Sequence, residues 1–233
     1  MDGDMKLAIV ADVHGNLAAL EAVLADLDRV EPDRVVLGGD LALNGPRPAE
    51  CLALIRERGW EGILGNTDEV LWARPDHPGA GWTRSRLGES DLAWLRSLPQ
   101  TWRDDAAVGL VHAVPGDLWR AVRANADDEE LRRTYGALGT PLTVYCHIHV
   151  PYVRRIDETL TVANTGSVGM PFDGDPRASY LLVADGEPAT RRVAYDVERA
   201  VHDLGEAGHP LARELATAYR AGRPPRSEEG PER

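Results

Sequence analysis

The stretch Ile9-Val10-Ala11-Asp12-Val13-His14-Gly15-Asn16 decides how this chain is read. It opens as a buried strand over residues 6–12 and delivers an acid and an imidazole two positions apart where the strand ends. Desolvating an ionised carboxylate and a histidine is expensive, so something must meet them there. A divalent metal does so, and a strand-end ion pair or a hydrogen-bonded histidine would serve as well. Asn16 then suits a helix N-cap, and Leu17 to Arg29 carries Leu17, Leu20, Leu24 and Leu27 on one face at helical spacing.

Working outward, the same arrangement recurs. Val35-Val36-Leu37-Gly38-Gly39-Asp40 is an apolar run ending in a carboxylate, and Gly62-Ile63-Leu64-Gly65-Asn66-Thr67-Asp68 ends in an amide followed by another acid. Val108 to Val111 runs into His112, and Leu142 to Cys146 runs into His147-Ile148-His149. Singly, each has a plainer reading: Asp40 as a turn residue or cap, Asn66 as a left-handed turn residue, His112 as a satisfied core histidine, His147 and His149 as hydrogen-bonded imidazoles. Jointly they do not. Surface solvation predicts no such gathering of Asp, Asn and His at strand ends, and the carboxyl ends of strands are where α/β sheets collect functional groups.

The order Asp-x-His, Gly-Asp, Gly-Asn-x-Asp, lone His, His-x-His resembles the calcineurin-like metallophosphoesterases, and within them the small bacterial and archaeal phosphodiesterases. Asn164-Thr165-Gly166-Ser167-Val168-Gly169 and Asp173 to Tyr180 extend the likeness, which covers roughly residues 5 to 200. The resemblance implies a four-layer α/β/β/α sandwich of two mixed sheets flanked by helices. It implies two divalent metals: one on Asp12, His14 and His149, the other on Asn66, His112 and His147, with Asp40 bridging, and with Asp40, Asn66 and His112 counted as catalytic. Oxygen and imidazole donors without thiolate suit Mn²⁺, Fe or Zn²⁺; with the resemblance, Mn²⁺ is the ion expected, and Fe, Zn²⁺, Ni²⁺ or Mg²⁺ are the alternatives. The implied reaction is phosphoester hydrolysis by a hydroxide shared between the metals.

Departures from the family pattern are informative. Many relatives have a histidine where this chain has Thr67, which has no group to act as an acid near neutral pH. Asp68, His77 or a metal-held water remain as sources of the proton. Cys146 replaces a common glycine and reads as a small buried side chain. Asn164 to Ser167 reads either as support for a metal-site loop, or an anion, or as a plain turn.

With 38 acidic against 26 basic residues, the net charge of −12 argues against a nucleic-acid polymer as partner but leaves a small phosphorylated substrate open. No membrane-length apolar run and no signal-like N-terminus is present, and Cys51 and Cys146 fall in a helix and a strand, so a soluble cytoplasmic protein without a disulfide framework is expected. One domain over residues 1–222 is expected, followed by a Pro/Glu/Arg-rich tail, 223–233, expected to be disordered. Helices are read at 47–58, 90–98, 125–139, 197–206 and 210–221, and strands at 34–39, 142–147, 152–156, 159–163, 179–184 and 190–195. Residues 69–105, with Trp72, Trp82, Trp94 and Trp102, read as a cap-like insertion beside the site, the tryptophans packing more readily than stacking on substrate.

The function expected is a dinuclear phosphodiesterase acting on a small diester such as a cyclic nucleotide or dinucleoside polyphosphate. A phosphomonoesterase or protein serine/threonine phosphatase, and a non-catalytic metal-binding scaffold, are the alternatives. Asn44, Thr67 and Arg177 are the expected substrate contacts, with Arg47, Arg84 and Arg86 as further basic candidates.

Overall fold

A computed structural model of the chain describes residues 5–74, 76–104 and 107–225. Two five-stranded mixed sheets stack face to face. The first orders β10 (Glu187–Val193), β9 (Ala178–Ala184), β1 (Leu7–Val10), β2 (Arg34–Leu37) and β3 (Glu61–Gly62); the second orders β4 (Thr101–Asp104), β5 (Val108–Val111), β6 (Leu142–Tyr145), β8 (Thr161–Asn164) and β7 (Tyr152–Arg155). β1, β2 and β3 are parallel, as are β5, β6 and β8, while β9, β10, β4 and β7 pair antiparallel at the edges.

Side-chain alternation in β1 explains the stacking. Leu7, Ile9 and Ala11 face the second sheet and pack with Val108, Leu110, Val144 and Ala163, whereas Ala8 and Val10 face the helices. Those helices are α1 (Leu17–Val30) and α2 (Pro48–Glu57), which lay Leu20, Val23, Leu24, Leu52 and Ile55 on the first sheet. On the outer face of the second sheet, α6 (Asp128–Tyr135) brings Leu131 and Tyr135 onto Tyr145 and Val162. The result is the four-layer α/β/β/α order. α7 (Val197–Glu206) and α8 (Ala212–Ala221) add a smaller apolar cluster around Met170, Leu204, Leu215 and Tyr219.

The middle of the chain differs most from the sequence reading. Residues 66–97 form three helices, α3 (Asn66–Ala73), α4 (Pro78–Arg84) and α5 (Glu89–Ser97), of which only the last was expected. Val70, Leu71, Ala80 and Leu95 belong to the same core as α1 and α2, and Trp72 and Trp94 pack against it. Thr101–Asp104, assigned to the insertion from sequence, is an edge strand. Its Trp102 and Asp104 point inward and Thr101 and Arg103 outward, a period of two that the tryptophan-rich texture masks. The helix expected over 125–139 is shorter, because Asp127 caps it by accepting the Glu130 N–H at 2.8 Å and one 3-10 turn, Gly136–Leu138, replaces its end. Cys51 and Cys146 are both buried and unpaired. Among the described residues no helix is long and apolar enough to cross a membrane. The tail residues 226–233 lie outside the described residues.

Candidate metal centre

Each metal ligand expected from the sequence follows the carboxyl end of a parallel strand: Asp12 and His14 after β1, Asp40 after β2, Asn66 after β3, His112 after β5, His147 and His149 after β6. The stacking of the sheets brings these ends together. Asp12, His14, Asp40, His147 and His149 all have left-handed backbone, with φ of 55°, 50°, 57°, 67° and 56°. Such conformations are uncommon outside glycine and gather at functional sites, where surrounding structure must hold them.

Here the holding is done by loop-to-loop hydrogen bonds. The N–H groups of Asp12, His14 and Gly15 donate to the carbonyls of Gly39, Asp40 and Leu41 at 3.0, 2.9 and 3.0 Å, which extends the β1–β2 pairing past the strands. Gly39, at φ 89°, lets the Gly65 backbone pass so close that any Cβ there would lie 2.5 Å from the Gly65 nitrogen. From the far side, Val168 and Gly169 donate to the carbonyls of Ala11 and Asp12, and Ser167 Oγ donates to the Asp12 carbonyl at 2.7 Å. The Asn164–Ser167 stretch therefore supports the metal-site loop, one of the readings left open by the sequence.

Asp68, considered above as an acid, is a clamp instead. Its fully buried carboxylate accepts N–H bonds from Asp40 (2.8 Å), Leu41 (2.9 Å) and Gly65 (3.3 Å). Burial and the neighbouring Asp40 push its pKa up to about 7, but both oxygens are turned into the backbone.

The imidazoles are oriented by their other nitrogens. His14 Nδ1 bonds the Leu43 carbonyl at 2.9 Å and His149 Nδ1 the Met170 carbonyl at 2.6 Å, which fixes the proton on Nδ1 and leaves both Nε2 lone pairs bare. Those two Nε2 atoms face each other at 3.2 Å. Asp12 Oδ1 lies 3.2 Å from His149 Nε2 and is buried without a hydrogen-bond partner. Two lone pairs and an orphaned carboxylate oxygen aimed at one point repel unless a cation lies between them. The ligating atoms of Asp12, His14, Asp40 and His149 all fall within 4.8 Å of one another, so this buried cluster can hold a metal ion.

A second group adjoins it. His112 Nδ1 bonds the Gly38 carbonyl at 2.8 Å, and its Nε2 lies 2.8 Å from Asn66 Oδ1, while His147 Nδ1 lies 3.0 Å from the same oxygen. Asp40 spans both groups, Oδ1 being 3.4 Å from His112 Nε2 and Oδ2 3.7 Å from His14 Nε2. Burial lowers the pKa of His14, aided by His149, and that of His147, aided by His112. For Asp40, burial works upward but His112 and His14 outweigh it and hold the carboxyl well below its ordinary range. Burial opposes charge on His112 too, yet the Asp40 carboxylate raises it to about 9.

The expected substrate contacts are less uniform. Thr67 is beside Asp40, its N–H donating to Asp40 Oδ1 at 2.8 Å, and its buried Oγ1 has no partner. Asn44, at φ 78°, follows Leu43, the carbonyl partner of His14. Arg177 is engaged by Asp175 at 2.6 Å, Arg47 by Asp203 at 3.0 Å, and Arg86 lies over the Trp82 ring at 3.6 Å. His77 Nδ1 accepts the Gly79 N–H and caps α4. Sequence reasoning missed Trp119, whose indole Nε1 donates to Glu69 of α3 at 2.9 Å; a lone tryptophan in a loop carries no periodic signal.

A sandwich of two sheets with a buried carboxylate–imidazole cluster at its strand ends is the architecture of a metal-dependent phosphoesterase. The chain belongs to the calcineurin-like phosphoesterase superfamily, whose domain model matches residues 5–186. It is similar to a metallophosphoesterase structure from Sphaerobacter thermophilus, at 30% identity and TM-score 0.81, over 94% of this chain and 99% of that one. An uncharacterised protein of Methanocaldococcus jannaschii is 28% identical, over 85% of this chain and 91% of its own length. A symmetrical bis(5'-nucleosyl)-tetraphosphatase of Erwinia tasmaniensis is 29% identical over 150 residues, 59% of this chain and 55% of that protein.

Proposed function

We propose that the protein is a dinuclear metal-dependent phosphodiesterase that hydrolyses a small diester, of the cyclic nucleotide or dinucleoside polyphosphate class. The observation that carries this reading is the confrontation of the His14 and His149 Nε2 lone pairs at 3.2 Å, with Asp40 reaching from that pair to His112. Asp12, His14 and His149 hold one ion, Asn66, His112 and His147 the other, and Asp40 both; donors of this kind suit Mn²⁺, Fe or Zn²⁺, of which we take Mn²⁺ first. Metals bound there would supply Lewis-acid polarisation of the phosphoryl group and a nucleophile at neutral pH.

The chain's own groups do the rest. The left-handed loops fix the ligands before substrate arrives, and Asp68 keeps Asp40 in place. Thr67 Oγ1 is a hydroxyl with nothing else to bond, set to hold a phosphoryl oxygen, while Asn44 lies in the loop beyond Asp40. Because Thr67 provides no acid, esters with good leaving groups are the better substrates, which within the proposed classes favours a dinucleoside polyphosphate, whose leaving group is a phosphate, over alkyl esters. The name of the Erwinia relative points to the same substrate class.

Stripping the protein with chelator and restoring metals singly tests this, Mn²⁺ first, with bis-p-nitrophenyl phosphate and p-nitrophenyl phosphate as substrates. Restored activity favouring the diester, at two equivalents of bound metal, is expected. Preference for the monoester would put the phosphatase reading first, and metal uptake without hydrolysis of either would favour the scaffold.

A further inference from the structure

Trp119 is one of two large apolar side chains exposed among the described residues, at 38%, yet both its backbone and its indole are engaged. Its N–H donates to Asp117 Oδ1 at 2.7 Å, in a loop closed by reciprocal Val114–Asp117 hydrogen bonds of 3.2 and 3.1 Å. Its indole Nε1 donates to Glu69 Oε2 at 2.9 Å, and the Arg74 guanidinium covers one ring face at 4.4 Å from the centroid. The Nε1 edge and one face are thus engaged, and the residue still keeps its 38% exposure. A rigid indole kept in water gives up burial that tryptophan ordinarily gains, and a ring fixed in advance loses little entropy when something stacks on it.

Through α3 Trp119 is connected to the metal cluster. Glu69 and Asn66 are three residues apart in the first turn of α3, on the same side of the helix and about 4.5 Å apart along its axis. Asn66 Oδ1 touches His112 and His147. Trp119 is thus tied to the helix that carries a metal-group side chain, in the loop that leaves His112.

We propose that Trp119, backed by Arg74, is a stacking platform for the nucleobase of a nucleotide phosphodiester whose phosphate lies at the metal cluster. This rests on the phosphodiesterase reading and narrows its substrate to nucleoside esters. A flat aromatic face recognises any base without reading its edges, and Arg74 adds a cation behind the ring and beside an anionic ligand. A free nucleotide meets these demands, while the net charge of −12 disfavours a polymer.

Thymidine 5'-(p-nitrophenyl phosphate) and methyl p-nitrophenyl phosphate share a leaving group, and one carries a nucleoside where the other carries a methyl group. In the Mn²⁺-loaded protein, Trp119→Ala is expected to lower the ratio of kcat/KM for the thymidine ester to that for the methyl ester about tenfold, mainly through KM, with Trp119→Phe restoring most of it. A merely structural role would depress both esters alike, and an unchanged ratio overturns the proposal. Calorimetric titration with adenosine 5'-monophosphate and with inorganic phosphate separates this from the parent reading. If the wild type hydrolyses neither ester, the phosphodiesterase reading fails, and the platform stands only if the nucleotide binds tighter than phosphate and Trp119→Ala removes that advantage. An equal advantage in both proteins overturns it.

Discussion

Asp40 turns one carboxylate oxygen toward His112 and the other toward His14, and its neighbours hold it there. Thr67 donates to Oδ1, Asp68 takes the Asp40 N–H, and any side chain on Gly65 would collide with the carboxylate. Asp40→Asn keeps the volume but turns an NH₂ toward one of the two groups and removes the charge that compensates a cation. Bound metal should fall below two equivalents by elemental analysis, and hydrolysis by more than about a hundredfold. Near-normal turnover with two metals bound would remove Asp40 from the bridging position. The acids, the amide and the imidazoles of this centre were legible in the sequence, because strand-end position and residue type together select them. Asp68 and Trp119 were not: one owes its role to three N–H groups from two loops, the other to contacts with a helix fifty positions away in sequence.

Elements were legible where periodicity was long and caps were local. α1 begins after Asn16, whose Oδ1 accepts the Ala19 N–H at 3.2 Å, and α7 spans the residues read from sequence. α3 and α4 escaped because each is short and its apolar residues are shared with tryptophans and glycines. The position of α4 depends on a distant turn. Trp82 Nε1 donates to the Gly208 carbonyl at 3.0 Å, Arg86 to the Ala207 carbonyl at 2.8 Å, and the His209 ring packs against Trp82 at 4.4 Å. His209 accepts the Leu211 N–H through Nδ1, its Nε2 is buried without a partner, and burial with the nearby Arg86 cation pushes its pKa from 6.5 down to about 4. Above pH 6.5 the imidazole is neutral in both the folded and unfolded states. Between 6.5 and 4 the unfolded chain binds the proton first, so stability declines across that window and levels off below it. His209→Asn keeps an acceptor for the Leu211 N–H and removes the titration. Urea unfolding at pH 7.5 and 4.5 should then show a pH-dependent loss smaller than wild type by about 2 kcal/mol. Equal losses would mean that His209 does not resist protonation in the folded state.

At the scale of the molecule, the candidate ligands divide between the sheets. Asp12, His14, Asp40 and Asn66 follow strands of the first, while His112, His147 and His149 follow strands of the second. The apolar layer between the sheets binds them without direction, whereas the site ends that layer in buried carboxylates and opposed lone pairs, which favour separation until cations join them. That topology was not derivable from periodicity; the alternation of strand and helix gave an α/β class, and the ordered motifs gave the sandwich through resemblance. A cation shared across the sheets must stabilise the whole fold, because the unfolded chain cannot assemble donors from five loops. At metal a hundred times above its dissociation constant the gain is about 2.7 kcal/mol per site, which for a chain of this size is a rise in Tm of about 5–10 °C. Calorimetry of the chelator-treated protein with and without Mn²⁺ should show that rise in the wild type and a smaller one in Asp40→Asn. A Tm indifferent to metal at demonstrated occupancy would mean that the donors are already satisfied without it, and the opposed Nε2 atoms would then need another explanation.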